Sequence, residues 1–196
     1  MKIRKSWLLL LTLALAFTLT ACSGSADKSS ENDTEEPAAK STEEAMNHSE
    51  MNHSGSSEVP KGLVEAKHPK YKVGEQAIIT TGHMEGMKGA KATISGAYET
   101  TAYVVSYNPT TGGKRVENHK WVIHEELKDH ESKAVEPGTK VTIMTDHMEG
   151  MHGAEGVIEI AEQTTVYMVD FTPTNGEKKV TNHKWVTESE LSPVNQ

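Results

Sequence analysis

The residues of this chain best suited to chemistry form a loop that occurs twice, His83-Met84-Glu85-Gly86-Met87-Lys88-Gly89-Ala90 and His147-Met148-Glu149-Gly150-Met151-His152-Gly153-Ala154, at a fixed offset of 64 positions. Each copy offers an imidazole and two thioethers within five residues, on backbone that Gly86, Gly89, Gly150 and Gly153 make pliable. Thioether and imidazole are donors for copper(I), whereas calcium and magnesium take oxygen ligands. The pattern therefore predicts copper, chiefly Cu(I), held by His83, Met84, Met87, His147, Met148 and Met151, with His152 as an added donor in the second loop. Zinc is the competing metal, through imidazole and the carboxylates of Glu85 and Glu149, but methionine is not among its usual ligands. A packing role is also open, in which Met84 and Met87 fold inward to plug a small barrel while His83 bonds the turn.

These loops sit in a wider duplication. Residues 72–127 align with 136–191 without a gap and are identical at 28 of 56 positions, too many for chance. The second shared element is Asn118-His119-Lys120-Trp121-Val122, matched by Asn182-His183-Lys184-Trp185-Val186. Simple alternation places His119 and His183 on the same face as Trp121 and Trp185, in the core or completing the metal sites. His68, His124 and His130 are weaker candidates, the last two lacking a counterpart in the second copy.

The surrounding pattern is β. Short runs rich in Ile, Val and Thr lie at Gln76 to Thr81 and Lys140 to Thr145. Thr101, Tyr103, Val105 and Tyr107 alternate with smaller residues, as do Thr165, Tyr167, Val169 and Phe171, which predicts a half-buried strand in each copy. Asn108-Pro109-Thr110-Thr111-Gly112-Gly113 and Thr172-Pro173-Thr174-Asn175-Gly176 read as hairpin tips. Strands through Lys114 to Val122 and Lys178 to Val186 follow, and helix should be slight. The expected fold class is all-β, two tandem small SH3-like β-barrel domains at 61–128 and 129–196, with an open sandwich or OB-like barrel as the alternative.

Ahead of the repeats, Lys2, Arg4 and Lys5 precede an apolar run from Trp7 to Leu19 that is short for a membrane span. Leu19-Thr20-Ala21-Cys22 then resembles a bacterial lipobox, with the only cysteine of the chain at the lipidated place. Residues 1–22 are accordingly read as a lipoprotein signal ending at Cys22, and the protein as anchored by lipid on the extracellular face of the cell membrane. Residues 23–60, poor in large apolar side chains, are read as a disordered tether. Within it Met46, His48, Met51 and His53 form a tandem Met-x-His that reads as an auxiliary ligand arm. The net charge of −8 makes nucleic acid an unsuitable partner and attracts cations. No nucleophile elbow, phosphate loop or H-E-x-x-H helix is present, so the chain does not read as an enzyme.

On the lipobox, the tandem repeat, the His-Met-Glu-Gly-Met loops and the Asn-His-Lys-Trp-Val strands, the chain resembles the YdhK family of Gram-positive lipoproteins. Within that family it is similar to CopL-type copper-resistance lipoproteins. The resemblance spans about residues 61–192. It implies a duplicated small β domain and extracytoplasmic copper binding that protects against excess metal, with a copper exporter or the cell wall as possible partners. The competing class is a cell-wall or peptide-binding module, which would need Tyr103, Tyr107, Trp121, Tyr167, Phe171 and Trp185 as an exposed aromatic surface. If Cys22 carries the anchor, replacing it with serine moves the protein from the membrane fraction into the medium; a Cys22→Ser protein that still sediments with membranes contradicts the anchor.

Overall fold

A computed structural model describes residues 54–129 and 133–194. Cys22, the Met46 to His53 arm and His130 lie outside the described residues. Among the described residues eight strands form one sheet: β1 (Val64–Glu65), β2 (Gln76–Ile79), β3 (Lys91–Tyr107), β4 (Val116–Ile123), β5 (Lys140–Thr142), β6 (Glu155–Phe171), β7 (Val180–Thr187) and β8 (Leu191–Pro193). Two short 3-10 turns, His124–Glu126 and Glu188–Glu190, follow β4 and β7. The all-β expectation holds, as does the tandem repeat.

The long strands β3 and β6 organise everything else. They pair antiparallel along their whole length, from Ala92↔Phe171 to Tyr107↔Gly156. β2 pairs with the first half of β3 and β4 with its second half. β5 and β7 divide β6 in the same way, in the same registers 64 positions later. β8 then pairs with β2, Ile79 facing Leu191, and Leu127 bridges Ile143 at the equivalent place.

Because the strands run in opposite directions, each core draws on both repeats. The first contains Ile79, Met87, Ala92 and Ile94 from the first repeat with Tyr167, Val169, Phe171, Val186 and Leu191 from the second. The other contains Tyr103, Val105, Tyr107, Val122 and Leu127 with Ile143, Met151, Ala154 and Ile158. Packing units therefore do not coincide with residues 61–128 and 129–196: the sequence repeats are interleaved, not set side by side. Contiguity along the chain suggested otherwise, since repeat alignment carries no information about which half pairs with which.

Interleaving creates a third cluster of Ala102, Val104, Trp121, Ile123, Val166, Met168 and Trp185, flanked by Leu63 and Tyr98. It covers the other face of β3, so Ala102 to Tyr107 is buried on both sides and not half-buried as the alternation suggested. It also explains the tryptophans. Tyr103 faces Val122 and Val105 faces His119, so three steps on β4 oppose two on β3. That extra residue lies between His119 and Val122 and turns Trp121 and Ile123 to the third cluster while His119 and Val122 stay with the second core; Asn118, at φ 53°, sits in a second such irregularity between Val116 and His119. The expected shared face of histidine and tryptophan is thus broken by a bulge.

A repeat by itself holds half of each core. The segment 61–128 made alone is expected to be unfolded or to associate as a homodimer that reproduces the β3–β6 pairing, read by sedimentation and NMR dispersion. A stable, well-dispersed monomer would contradict the interleaved packing.

Candidate metal centre

Each Met loop is fastened by elements of the other repeat. Its foot is tied where the Thr80 amide donates to the Glu190 carbonyl at 2.8 Å and the Met144 amide to the Glu126 carbonyl at 2.8 Å. Its tip meets the opposite hairpin: the Thr174 amide donates to the Gly86 carbonyl and the Thr110 amide to the Gly150 carbonyl, both at 2.8 Å. Gly86 and Gly150 sit at φ 74° and 73°. A Cβ on Gly86 would lie 2.8 Å from Asn175 and 2.9 Å from Pro173, and one on Gly150 2.5 Å from the Thr111 hydroxyl. The glycines therefore serve a left-handed turn and close contact, more than pliability.

The loop positions divide. Met87 and Met151 are fully buried in the first and second cores. For these two the packing role replaces the expected exposed donor. Met84 and Met148 are half-buried at the core margins. His152 is exposed beside Asp146, and Glu85 and Glu149 are exposed as well. His68 is exposed, and Tyr103 Oη and His124 Nδ1 are hydrogen-bonded at 2.9 Å.

His83 and His147 lead inward. Nε2 of His83 is 2.8 Å from Glu190 Oε1, and Nε2 of His147 is 2.8 Å from Glu126 Oε1. Both carboxylates are almost fully buried, at 5% and 4% side-chain exposure. Each receives an indole from the other repeat, Trp121 Nε1 to Glu190 at 2.7 Å and Trp185 Nε1 to Glu126 at 3.1 Å. Each also accepts from the backbone, Thr187 N at 3.1 Å and Ile123 N at 3.0 Å. The chain thus builds two Trp-Glu-His relays across the repeats. Sequence reasoning missed Glu126 and Glu190, although they are identical residues at the 64-position offset, the same signal that marked the loops.

Burial pushes the Glu190 carboxyl up, but the hydrogen bond and charge of His83, the Thr187 amide and the Trp121 indole more than reverse this, to about 2. Glu126 is lowered likewise, burial being outweighed by His147, the Ile123 amide and the Trp185 indole. Removing either acceptor strands several buried donors, each at about 1–3 kcal/mol.

In the second site His119 joins the relay. Its ring centre lies 6.4 Å from that of His147 and 6.0 Å, edge-on, from that of Tyr107. The Tyr107 hydroxyl reaches Met148 Sδ at 3.9 Å. Burial, reinforced by His147 and His83, lowers the His119 pKa to about 4, so its ring is neutral near pH 7. His119 Nε2 and the Nδ1 atoms of His83 and His147 are buried without a hydrogen-bond partner. His119 and His147 are thus brought together with open ring nitrogens, and Tyr107 links His119 to the Met148 thioether. In the first site His183 faces Val169 and packs on Phe171, ring centres 5.6 Å apart, and Met84 packs against the core that contains both. Among the described residues no three His, Cys, Asp or Glu side chains form a metal-binding group.

Glu190, with its folded pKa below the ordinary 4.5, contributes stability that is complete above about pH 4.5 and is lost as pH falls through about 2. In urea unfolding across this range, the stability gap between the parent and Glu190→Gln should narrow from pH 4.5 to 2. A gap that stays constant would contradict the assigned ionisation.

Comparison with known proteins gives a family. The model for "Protein of unknown function (DUF1541)" matches residues 73–124 and 137–188. The chain is 56% identical to "Uncharacterized protein YdhK" of Bacillus subtilis (strain 168) over 98% of its own length and 91% of the relative's. A crystal structure of a DUF1541 family protein (ydhK) from Bacillus subtilis subsp. subtilis str. 168 matches with TM-score 0.72 and 62% identity, covering 75% of this chain and 100% of that one. A solution NMR structure of the ydhK C-terminal domain from B. subtilis matches with TM-score 0.60 and 62% identity, over 62% of this chain and 92% of that one. With both repeats matched and a relative this similar along nearly its full length, the chain belongs to the DUF1541 family and carries two copies of its domain in tandem.

Proposed function

We propose that this protein binds copper, Cu(I) above all, outside the cell membrane, and limits the metal's entry by holding it without turnover. The ligand sets are His119, His147 and Met148 in one site and His183, His83 and Met84 in the other. The observation that carries this reading is the pairing of buried, partnerless imidazole nitrogens on His119 and His147 with the Met148 thioether near the same tyrosine. A buried polar atom ordinarily finds a partner, and a metal ion is one. Two imidazoles sharing one ion in a three-ligand set, with bonds of about 2.0 Å, would hold their ring centres roughly 5.5 Å apart, so the rings, 6.4 Å apart without metal, would close by about 1 Å on binding.

Copper(I) is favoured over zinc because the buried carboxylates of Glu126 and Glu190 are engaged behind the histidines, the loop carboxylates of Glu85 and Glu149 are exposed, and the half-buried donors of the loops are the thioethers of Met84 and Met148. Lipid attachment through Cys22 would station the sites at the membrane face, where thioethers outlast thiols under oxidising conditions. An exporter or oxidase that receives the metal is compatible with the same ligands. The wall-binding alternative loses its surface, since Tyr103, Tyr107, Trp121, Tyr167, Phe171 and Trp185 are all buried, at 4% exposure or less.

The test is an anaerobic Cu(I) titration of the chain from Ser23 onward against a chromophoric chelator, with two methionine variants. Met84→Leu with Met148→Leu should weaken binding at least tenfold. Met87→Leu with Met151→Leu should leave binding intact and cost less than about 1.5 kcal/mol of stability per site, as a swap that nearly conserves volume. No competition by the parent protein would refute the copper reading.

A further inference from the structure

The two buried carboxylates do more than fill a gap behind the histidines. Glu126 accepts from Thr145 Oγ1 at 3.2 Å, His147 Nε2 at 2.8 Å and Trp185 Nε1 at 3.1 Å on Oε1, and from the Ile123 amide at 3.0 Å on Oε2. Glu190 accepts from His83 Nε2 at 2.8 Å on Oε1 and from Trp121 Nε1 at 2.7 Å and the Thr187 amide at 3.1 Å on Oε2. Indole and amide N–H groups only donate. Both oxygens of each side chain are thereby committed as acceptors, and a histidine nitrogen facing such an oxygen must carry the hydrogen. The proton of the neutral ring is then at Nε2, which leaves the lone pair on Nδ1. In both His83 and His147, Nδ1 is the atom that is buried and has no hydrogen-bond partner.

We propose that Glu126 and Glu190 are positioning residues that hold His147 and His83 as their Nε2–H tautomers and so select Nδ1 as the nitrogen offered to the metal. This rests on the copper reading above. A histidine with a purely structural role would have a partner at both ring nitrogens, and the same omission at two positions 64 residues apart is a feature of the design. Carboxylates that bond the far nitrogen of a metal-ligating imidazole fix ring orientation and raise its basicity. Here the carboxylate comes from the opposite repeat to its histidine, while the indole that steadies it comes from the histidine's own repeat: His83 and Trp121 both bond Glu190, and His147 and Trp185 both bond Glu126. Each site is therefore complete only when the repeats interleave. Glutamine would fit poorly, because its amide group would turn a donor toward N–H groups that cannot accept.

The experiment is a long-range 15N–1H correlation spectrum of the imidazoles in the metal-free chain near neutral pH, repeated with Cu(I), beside Cu(I) affinities of the parent, Glu126→Gln and Glu190→Gln. The expected pattern is Nε2–H for His83 and His147, movement of their Nδ1 resonances on metal addition, and a loss of about 10–100-fold in affinity at the altered site. A Nδ1–H tautomer or an imidazolium in the metal-free chain overturns the proposal, as does parental affinity in a folded Glu126→Gln protein. Should that variant not fold, the tautomers of the parent decide the matter. A parent that binds no Cu(I) overturns the copper reading instead, and is distinguishable because the tautomer is read without metal.

Discussion

The antiparallel pairing of β3 with β6, which runs from Ala92↔Phe171 to Tyr107↔Gly156 with two register shifts, is the constraint from which the other features of this molecule follow. Two homologous halves that meet antiparallel along one long ladder must exchange their ends. The first half of one strand then shares a core with the second half of the other, and so do the loops and turns attached to them. This is why the Met loop of one repeat lies against the Glu-x turn and hairpin tip of its copy, and why neither site can be drawn within one repeat.

The same exchange fixes the chemistry at the centre. A carboxylate at 4% or 5% exposure is tolerable only where enough donors meet it, and the interleaved backbone supplies an indole, an amide and an imidazole to each. The bulges between His119 and Val122 and between His183 and Val186 make this possible by turning Trp121 and Trp185 away from the core that holds the neighbouring histidine and toward the shared cluster between the cores. One strand segment thereby presents its histidine to one site and its tryptophan to the other. Backbone hydrogen bonds at the foot and tip of each loop hold the half-buried methionines at the core margins.

Much of this was written in the chain. The duplication, the all-β character and the hairpin tips follow from identity at a fixed offset, from alternation and from Pro and Gly placement. The loops His83 to Ala90 and His147 to Ala154 were legible as a place of interest, and His119 and His183 as possible companions. What was not legible is partnership between distant segments: alternation cannot reveal a bulge, and a repeat alignment cannot reveal that the halves are exchanged. Hence Met87 and Met151 looked like ligands although they fill the cores, and Glu126 and Glu190 looked like ordinary turn residues. Their counterparts at equivalent positions were the available clue, since an acidic residue retained in both copies beside a changing neighbour, His124 against Glu188 or Glu125 against Ser189, has a reason to be there.

The central claim is that soft donors from both repeats meet at one ion. X-ray absorption at the copper edge on the Cu(I)-loaded protein addresses it most directly. The account predicts a mixed first shell of imidazole nitrogen and thioether sulfur, with the sulfur contribution lost when Met84 and Met148 become leucine. A shell of nitrogen and oxygen alone, unchanged by those substitutions, would contradict it.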